Sequence, residues 1–226
     1  METADFLFLI TEIIGIAAFS VSGAIISIHR RMDFFGVVFL ALVTALGGGA
    51  LRDLFLGVIP PRNFFNFTHL LITILTSIFV FILVRIFRRF FFENYKKINF
   101  LVNIFDAIGL ASFAVTGVDL TVQKGFGDHE FFVVFMGILT AVGGGLLRDT
   151  MSRCKPMIFC KNIYATAVLA GTVVYYVMCY VLKLPEIPST VSAFVIIVSI
   201  RILAAVFRWD LPVIEDPTQE KISEKE

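Results

Sequence analysis

Charge is what this chain has least of. Asp, Glu, Lys and Arg make up only 16% of its 226 residues, where a soluble globular chain carries about a quarter. Cysteine is scarce too: three residues, Cys154, Cys160 and Cys179, an odd number without the spacing of a zinc site. That excludes a disulfide scaffold and leaves unpaired thiols in apolar surroundings. There is no His-Glu-x-x-His, no Gly-x-Ser-x-Gly and no His/Cys cluster, so neither an enzyme nor a resident metal or cofactor is expected. No nucleic-acid partner is expected either. Glu2 and Asp5 stand where a secretory leader would be basic, so none is predicted.

What is present is apolar. The composition is 58% hydrophobic and the mean hydropathy is +0.90, which points to an all-α integral membrane protein. Seven spans are predicted: about Phe6–Ile28, Phe34–Leu56, Phe65–Phe87, Phe100–Val122, Phe131–Met151, Phe159–Leu182 and Ile187–Phe207. Each is near the roughly 20 residues that cross a bilayer. A polar tail, residues 210–226, follows and is expected to be disordered. No separate soluble domain is expected at either end. The net charge of +1 is uninformative because the charges are segregated. Basic residues crowd the side that holds the loops after spans 1, 3 and 5 and the end of span 7, at Arg30, Arg31, Arg88, Arg89, Lys96, Lys97, Arg153, Lys155, Lys161 and Arg208. The opposite side carries Arg62, Lys124 and Lys183. The positive-inside rule then places the N-terminus outside and the C-terminus in the cytoplasm.

Within this apolar background one phrase occurs twice. Thr44-Ala-Leu-Gly-Gly-Gly-Ala-Leu-Arg-Asp53 returns as Thr140-Ala-Val-Gly-Gly-Gly-Leu-Leu-Arg-Asp149, identical at eight of ten positions. The repeat extends further. Ile10, Gly15, Phe19 and Gly23 of span 1 match Ile104, Gly109, Phe113 and Gly117 of span 4, 94 residues on, while the glycine phrases lie 96 apart. A unit of three spans repeated in tandem must lie upside down in its second copy. The chain therefore reads as an inverted 3+3 repeat, about residues 6–90 and 100–183, with a seventh helix at about 187–207, all one membrane domain.

Glycine triplets at bilayer depth loosen a helix, and Gly47, Gly48, Gly49 and Gly143, Gly144, Gly145 are expected to kink spans 2 and 5. Unwound turns there would free carbonyls for a partly dehydrated cation near Thr44 and Thr140, and amides for an anion just beyond. The alternative is close helix packing, for which glycine-rich faces are suited. Charges inside spans cost roughly 2.5–3.5 kcal/mol each on insertion scales, so each needs a reason. Neighbours on a helix point apart, so Arg52 and Arg148 are paired across helices instead, Glu12 with Arg52 and Asp106 with Arg148. Asp53 and Asp149 are then free to face water and attract cations. Ser22 and Thr116, at matching positions, can line a polar path or bond back into their own helices. Asp119 breaks the symmetry, its repeat mate being Ile25. Beside Lys124 it reads as a gate or as a solvated helix end. His29, His69 and His129 fall near span ends, where interfacial solvation accounts for them.

Two Gly-Gly-Gly-x-Leu-Arg-Asp motifs at the second and fifth of seven spans resemble the prokaryotic TRIC (trimeric intracellular cation) channels, whose bacterial sequences carry a doubled glycine-transporter-like domain. The resemblance covers about residues 5–208. It implies a homotrimer in a prokaryotic plasma membrane, with a pore in each subunit beside kinked spans 2 and 5 and contributions from spans 1 and 4. The permeant ions it implies are potassium and sodium. The Lys-Glu-Val motif of animal members is absent, so their phosphoinositide regulation is not carried over. The competing reading is a secondary transporter for a small zwitterion such as glycine.

Overall fold

The computed structural model describes residues 3–160, 163–207 and 209, and every regular element among them is helical. The long helices are α1 (Thr3–His29), α2 (Phe34–Phe55), α3 (Phe67–Ile86), α5 (Tyr95–Thr121), α6 (Glu130–Met151) and α9 (Glu186–Phe207). Short helices α4 (Arg88–Glu93) and α7 (Met157–Cys160) and the 12-residue α8 (Ala165–Tyr176) complete the set. Wide-register π turns extend α5 over Val122–Phe126 and α8 over Val177–Val181. Among the described residues six helices are long and apolar enough to span a membrane. The sixth expected span differs: instead of running from Phe159, its helix begins at Ala165 and ends with the π turn at Val181. The tail at 210–226 lies outside the described residues.

Helix starts follow local chemistry. Asp33 caps α2 by accepting from the Gly36 amide at 2.7 Å, and Asn66 caps α3 by accepting from the Thr68 and His69 amides. Large apolar side chains such as Phe35, Phe67, Phe79 and Phe131 stay exposed, as lipid-facing surfaces require. The interior mixes large side chains such as Phe19, Leu110 and Phe113 with small residues at the helix contacts. Helices α1 and α5 lie against each other, α2 packs on α1 as α6 packs on α5, and α2 meets α6. Helix α9 lies against α5 and α8.

The contacts are reciprocal, as an inverted repeat demands. A Cβ on Gly48 would collide with the Thr140 carbonyl oxygen, and one on Gly144 with the Thr44 carbonyl oxygen. Gly47 faces Leu147 while Gly143 faces Leu51, and the Phe19 and Phe113 rings meet at 5.3 Å. Helices α2 and α6 run on as α-helix through both triplets. The unwound carbonyls and amides expected there are therefore held in the helix. Here the glycines allow two backbones to touch.

Candidate ion pathway

Both Arg-Asp pairs sit where a helix ends. The Leu56 amide donates to the Arg52 carbonyl and the Val58 amide to the Asp53 carbonyl, and Gly57 takes a φ of +72° to close the turn. The same bonds recur from Ser152 to Arg148 and from Cys154 to Asp149, with Arg153 at φ +54°. Each aspartate then braces the loop that follows. Asp53 accepts from the Arg62 amide at 2.9 Å, and Asp149 from the Met157 amide at 2.9 Å.

This bracing corrects two expectations. The aspartates do not stand free in water; Asp53 is fully buried and Asp149 is 2% exposed. Nor do adjacent Arg and Asp point apart. Arg52 donates from Nε and Nη2 to Asp53 Oδ1 at 2.9 and 2.7 Å, and Arg148 Nε donates to Asp149 Oδ1 at 2.8 Å. A guanidinium on the last helical turn can fold back over its neighbour, because the loop holds the carboxylate in reach.

Beyond this common element the two ends diverge. Arg148 Nη1 also donates to Asp106 Oδ1 at 2.7 Å and to Ser22 Oγ at 2.5 Å. Arg52 makes no such reach: its Nη1 has no hydrogen-bond partner, and no Glu12–Arg52 ion pair forms among the described residues. Glu12 instead lies 3.6 Å from Nε2 of His69. His69 is not interfacial; it is 3% exposed, with Asn66 Nδ2 3.1 Å from its Nε2. The other sequence-derived residues separate in the same way. Thr44, Thr140, Gly47, Gly48, Gly143 and Gly144 lie at the α2–α6 contact, while Gly49 faces Asn63 and Gly145 the Tyr164 hydroxyl, and none of them reaches a polar cavity described below.

Sequence reasoning passed over Arg201. It is 4% exposed on α9, with Nη2 3.9 Å from Asp106 Oδ2 and its guanidinium 4.4 Å from the Tyr164 ring centre. Its signal was legible: a lone arginine inside the last apolar span. Tyr164 carried no comparable signal, since a tyrosine at a helix start is unremarkable.

Two cavities open at opposite ends of the α1–α5 pair. The first, about 300 Å³, is lined by Glu12, Thr116, Asp119, Tyr175, Tyr180 and Glu186 among others, with no Lys, Arg or His among the described residues. The second, about 540 Å³, is lined by His29, Arg30, Asn99, Asp149, Cys154 and Lys155 among others. Along α1 their nearest residues, Glu12 and Ile25, are about 20 Å apart at 1.5 Å per residue. Between them lie Ile16, Phe19, Leu110 and Phe113, a packed apolar belt, with the buried Ser112 hydroxyl lacking a partner among the described residues. One end is acidic and the other largely basic.

Asp119 is not paired with Lys124, which is exposed beyond it. Its Oδ1 accepts from the hydroxyls of Tyr175 at 2.6 Å and Tyr180 at 2.8 Å. Residues five apart on a regular α-helix face different ways; the π turn at Val177–Val181 helps bring both phenols to one carboxylate. Among the described residues no three carboxylate, His or Cys side chains converge on a point that would hold a metal ion.

Comparison with known proteins agrees on one family. The family described as Glycine transporter matches twice, over residues 9–85 and 103–180. The inner membrane protein YadS of Escherichia coli is 36% identical over 200 residues, 88% of this chain and 91% of that one. A solved TRIC cation channel is 36% identical, covering 92% of this chain and 97% of its own, with a TM-score of 0.77. The trimeric intracellular cation channel orthologue from Rhodobacter sphaeroides is 29% identical over 90% of this chain and 99% of that one, at a TM-score of 0.79.

Proposed function

Because the chain belongs to the prokaryotic TRIC cation channel family, with two copies of the glycine-transporter repeat, we propose that it conducts monovalent cations across a bacterial plasma membrane. Potassium is the main permeant ion in this reading and sodium the second. The observation that carries it is the pair of cavities at opposite ends of α1 and α5, the first lined by Glu12, Asp119 and Glu186 and, among the described residues, by no basic side chain. Three carboxylates on low-dielectric walls concentrate cations at that mouth. It faces the outside, with the C-terminus cytoplasmic, because the basic loops lie at the other end.

From the first cavity an ion passes Thr116 and must cross the belt at Phe19 and Phe113. It leaves past the Ser22–Arg148–Asp149 chain into the second cavity. Packed apolar side chains close the belt, so conduction requires α2 and α6 to shift on their glycine contact, bending at Gly47–Gly49 and Gly143–Gly145. Each subunit of a homotrimer carries its own path, with no bound cofactor.

Purified protein in a planar bilayer tests this. Discrete potassium currents, far faster than carrier turnover, are the expected result. Slow saturable glycine uptake into liposomes, with no unitary current, would replace the channel with the zwitterion carrier. That carrier needs freed backbone amides and carbonyls at the triplets, where the helices are continuous.

A further inference from the structure

The first cavity has the lining of an amine site. Its carboxylates come from three helices: Glu12 on α1, Asp119 on α5 and Glu186 on α9. They do not converge, since no three such side chains could hold one metal ion among the described residues. A compact divalent cation would meet these acids singly. A cation with two separated charges can meet two at once.

Two further groups point to an occupant. Thr190 is 6% exposed and lines the cavity, yet its hydroxyl has no hydrogen-bond partner among the described residues. Its neighbours behave otherwise: Thr11 and Ser189 donate back to the carbonyls of Leu7 and Pro185. Glu12 is 8% exposed and accepts no hydrogen bond there, its nearest ionic neighbour being His69 at 3.6 Å. Both residues are more than nine-tenths buried and line the hollow with acceptor oxygens, and an ammonium offers three N–H donors and nothing to accept. Between the acids, Tyr175 and Tyr180 line the wall and hold Asp119 in place through their hydroxyls.

We propose that this cavity binds a linear aliphatic diamine, one ammonium at Glu12 and Thr190 and the other toward Asp119 or Glu186. Occupancy plugs the path from the side where α1 begins. The plugging, though not the binding, rests on the conduction reading above.

Butane-1,4-diamine is the probe, applied to each side of reconstituted channels carrying potassium current and, separately, titrated by calorimetry into detergent-solubilised protein. Expected are reversible block from the α1 N-terminal side alone and calorimetric binding about tenfold tighter than for butylamine or magnesium. Glu186→Gln, at an exposed position, weakens both about tenfold while the protein keeps its helical spectrum and elution volume. Glu12→Gln does the same. Equal action from both sides, equal binding of magnesium or butylamine, or unchanged binding in both variants overturns the site. Binding without any potassium current keeps the site and removes the conduction reading, so the two failures are distinct.

Discussion

The two halves share a fold and spend their charges differently. At the end of α2, Arg52 is taken by Asp53 alone, and Glu12 is left at the wall of a cavity. At the matching end of α6, Arg148 holds Asp149, Asp106 and Ser22 together, and Arg201 closes on Asp106 from α9. Asp106, the repeat mate of Glu12, is thereby fully buried. Inversion supplies two equivalent mouths, and the partners of the first acid decide which mouth stays acidic. His69 beside Glu12, and Arg201 joining Arg148 on Asp106, make the difference, and neither has a counterpart in the other repeat. The seventh helix is thus part of the second half's electrostatics and more than a leftover span.

The comparison breaks most completely at Arg148. Arg148→Ala takes the hydrogen-bonded cation from two buried carboxylates and leaves Asp106 only the 3.9 Å approach of Arg201, a loss of about 3–5 kcal/mol. Arg52→Ala should cost less, about 1–3 kcal/mol, because Asp53 keeps the Arg62 amide and has the Arg62 guanidinium at 3.6 Å. Thermal unfolding in detergent ranks them, and equal losses would falsify the asymmetry. The glycine contact should behave in the opposite manner. Gly48→Ala and Gly144→Ala each drive a methyl into a backbone carbonyl that cannot rotate away, so both should lose about 1–3 kcal/mol, and by similar amounts. A large difference between them in the same assay would show that the α2–α6 contact is not symmetric.

How much of this could be read in advance depends on the range of the interaction. The inverted repeat was legible because Gly, Phe and Arg-Asp positions recur at a near-constant offset, and glycine contacts are local to their own faces. The Asp106–Arg148 contact followed from depth alone, two unlike charges in one half of the bilayer. The Glu12–Arg52 pair failed because nothing in spans 1 and 2 announces that His69, from α3, comes beside Glu12. Adjacent Arg-Asp pairing was ruled out on regular helix geometry, which no longer holds on a last turn whose loop amide anchors the carboxylate. The Asp119 site depends on a π turn, and the sequence Val177–Val181 carries no visible mark of one.

Arg201 offers a sharper cut. Its Nε and Nη2 lack hydrogen-bond partners, so burial already costs it something, and removing it relieves that cost while exposing Asp106 Oδ2. The two effects oppose, and Arg201→Met should lose only about 1 kcal/mol. Combined with Asp106→Asn the loss should not add, giving a coupling energy of about 0.5–1 kcal/mol in a double-mutant cycle. Strict additivity would mean that the 3.9 Å approach does not couple them, and that α9 stands apart from the second repeat.

The smallest effect on stability, and the largest contrast in kind, is expected from the two mated acids. Glu12→Gln removes a carboxylate that accepts no hydrogen bond among the described residues and borders a cavity, so unfolding should shift by less than about 0.5 kcal/mol. Asp106→Asn removes the acceptor of a buried guanidinium and should cost several times more. Currents should reverse that order. Without Glu12 the first cavity loses one of its three fixed charges, and potassium conductance at low salt should fall several-fold, the deficit shrinking as ionic strength rises. Asp106 borders neither cavity, so whatever Asp106→Asn channels remain folded should conduct close to normally. Conductance measured from 0.1 to 1 M potassium chloride separates the two residues by salt dependence alone. A Glu12→Gln deficit that persists undiminished at high salt would assign Glu12 to the structure of the path and leave the collecting charge to Asp119 and Glu186.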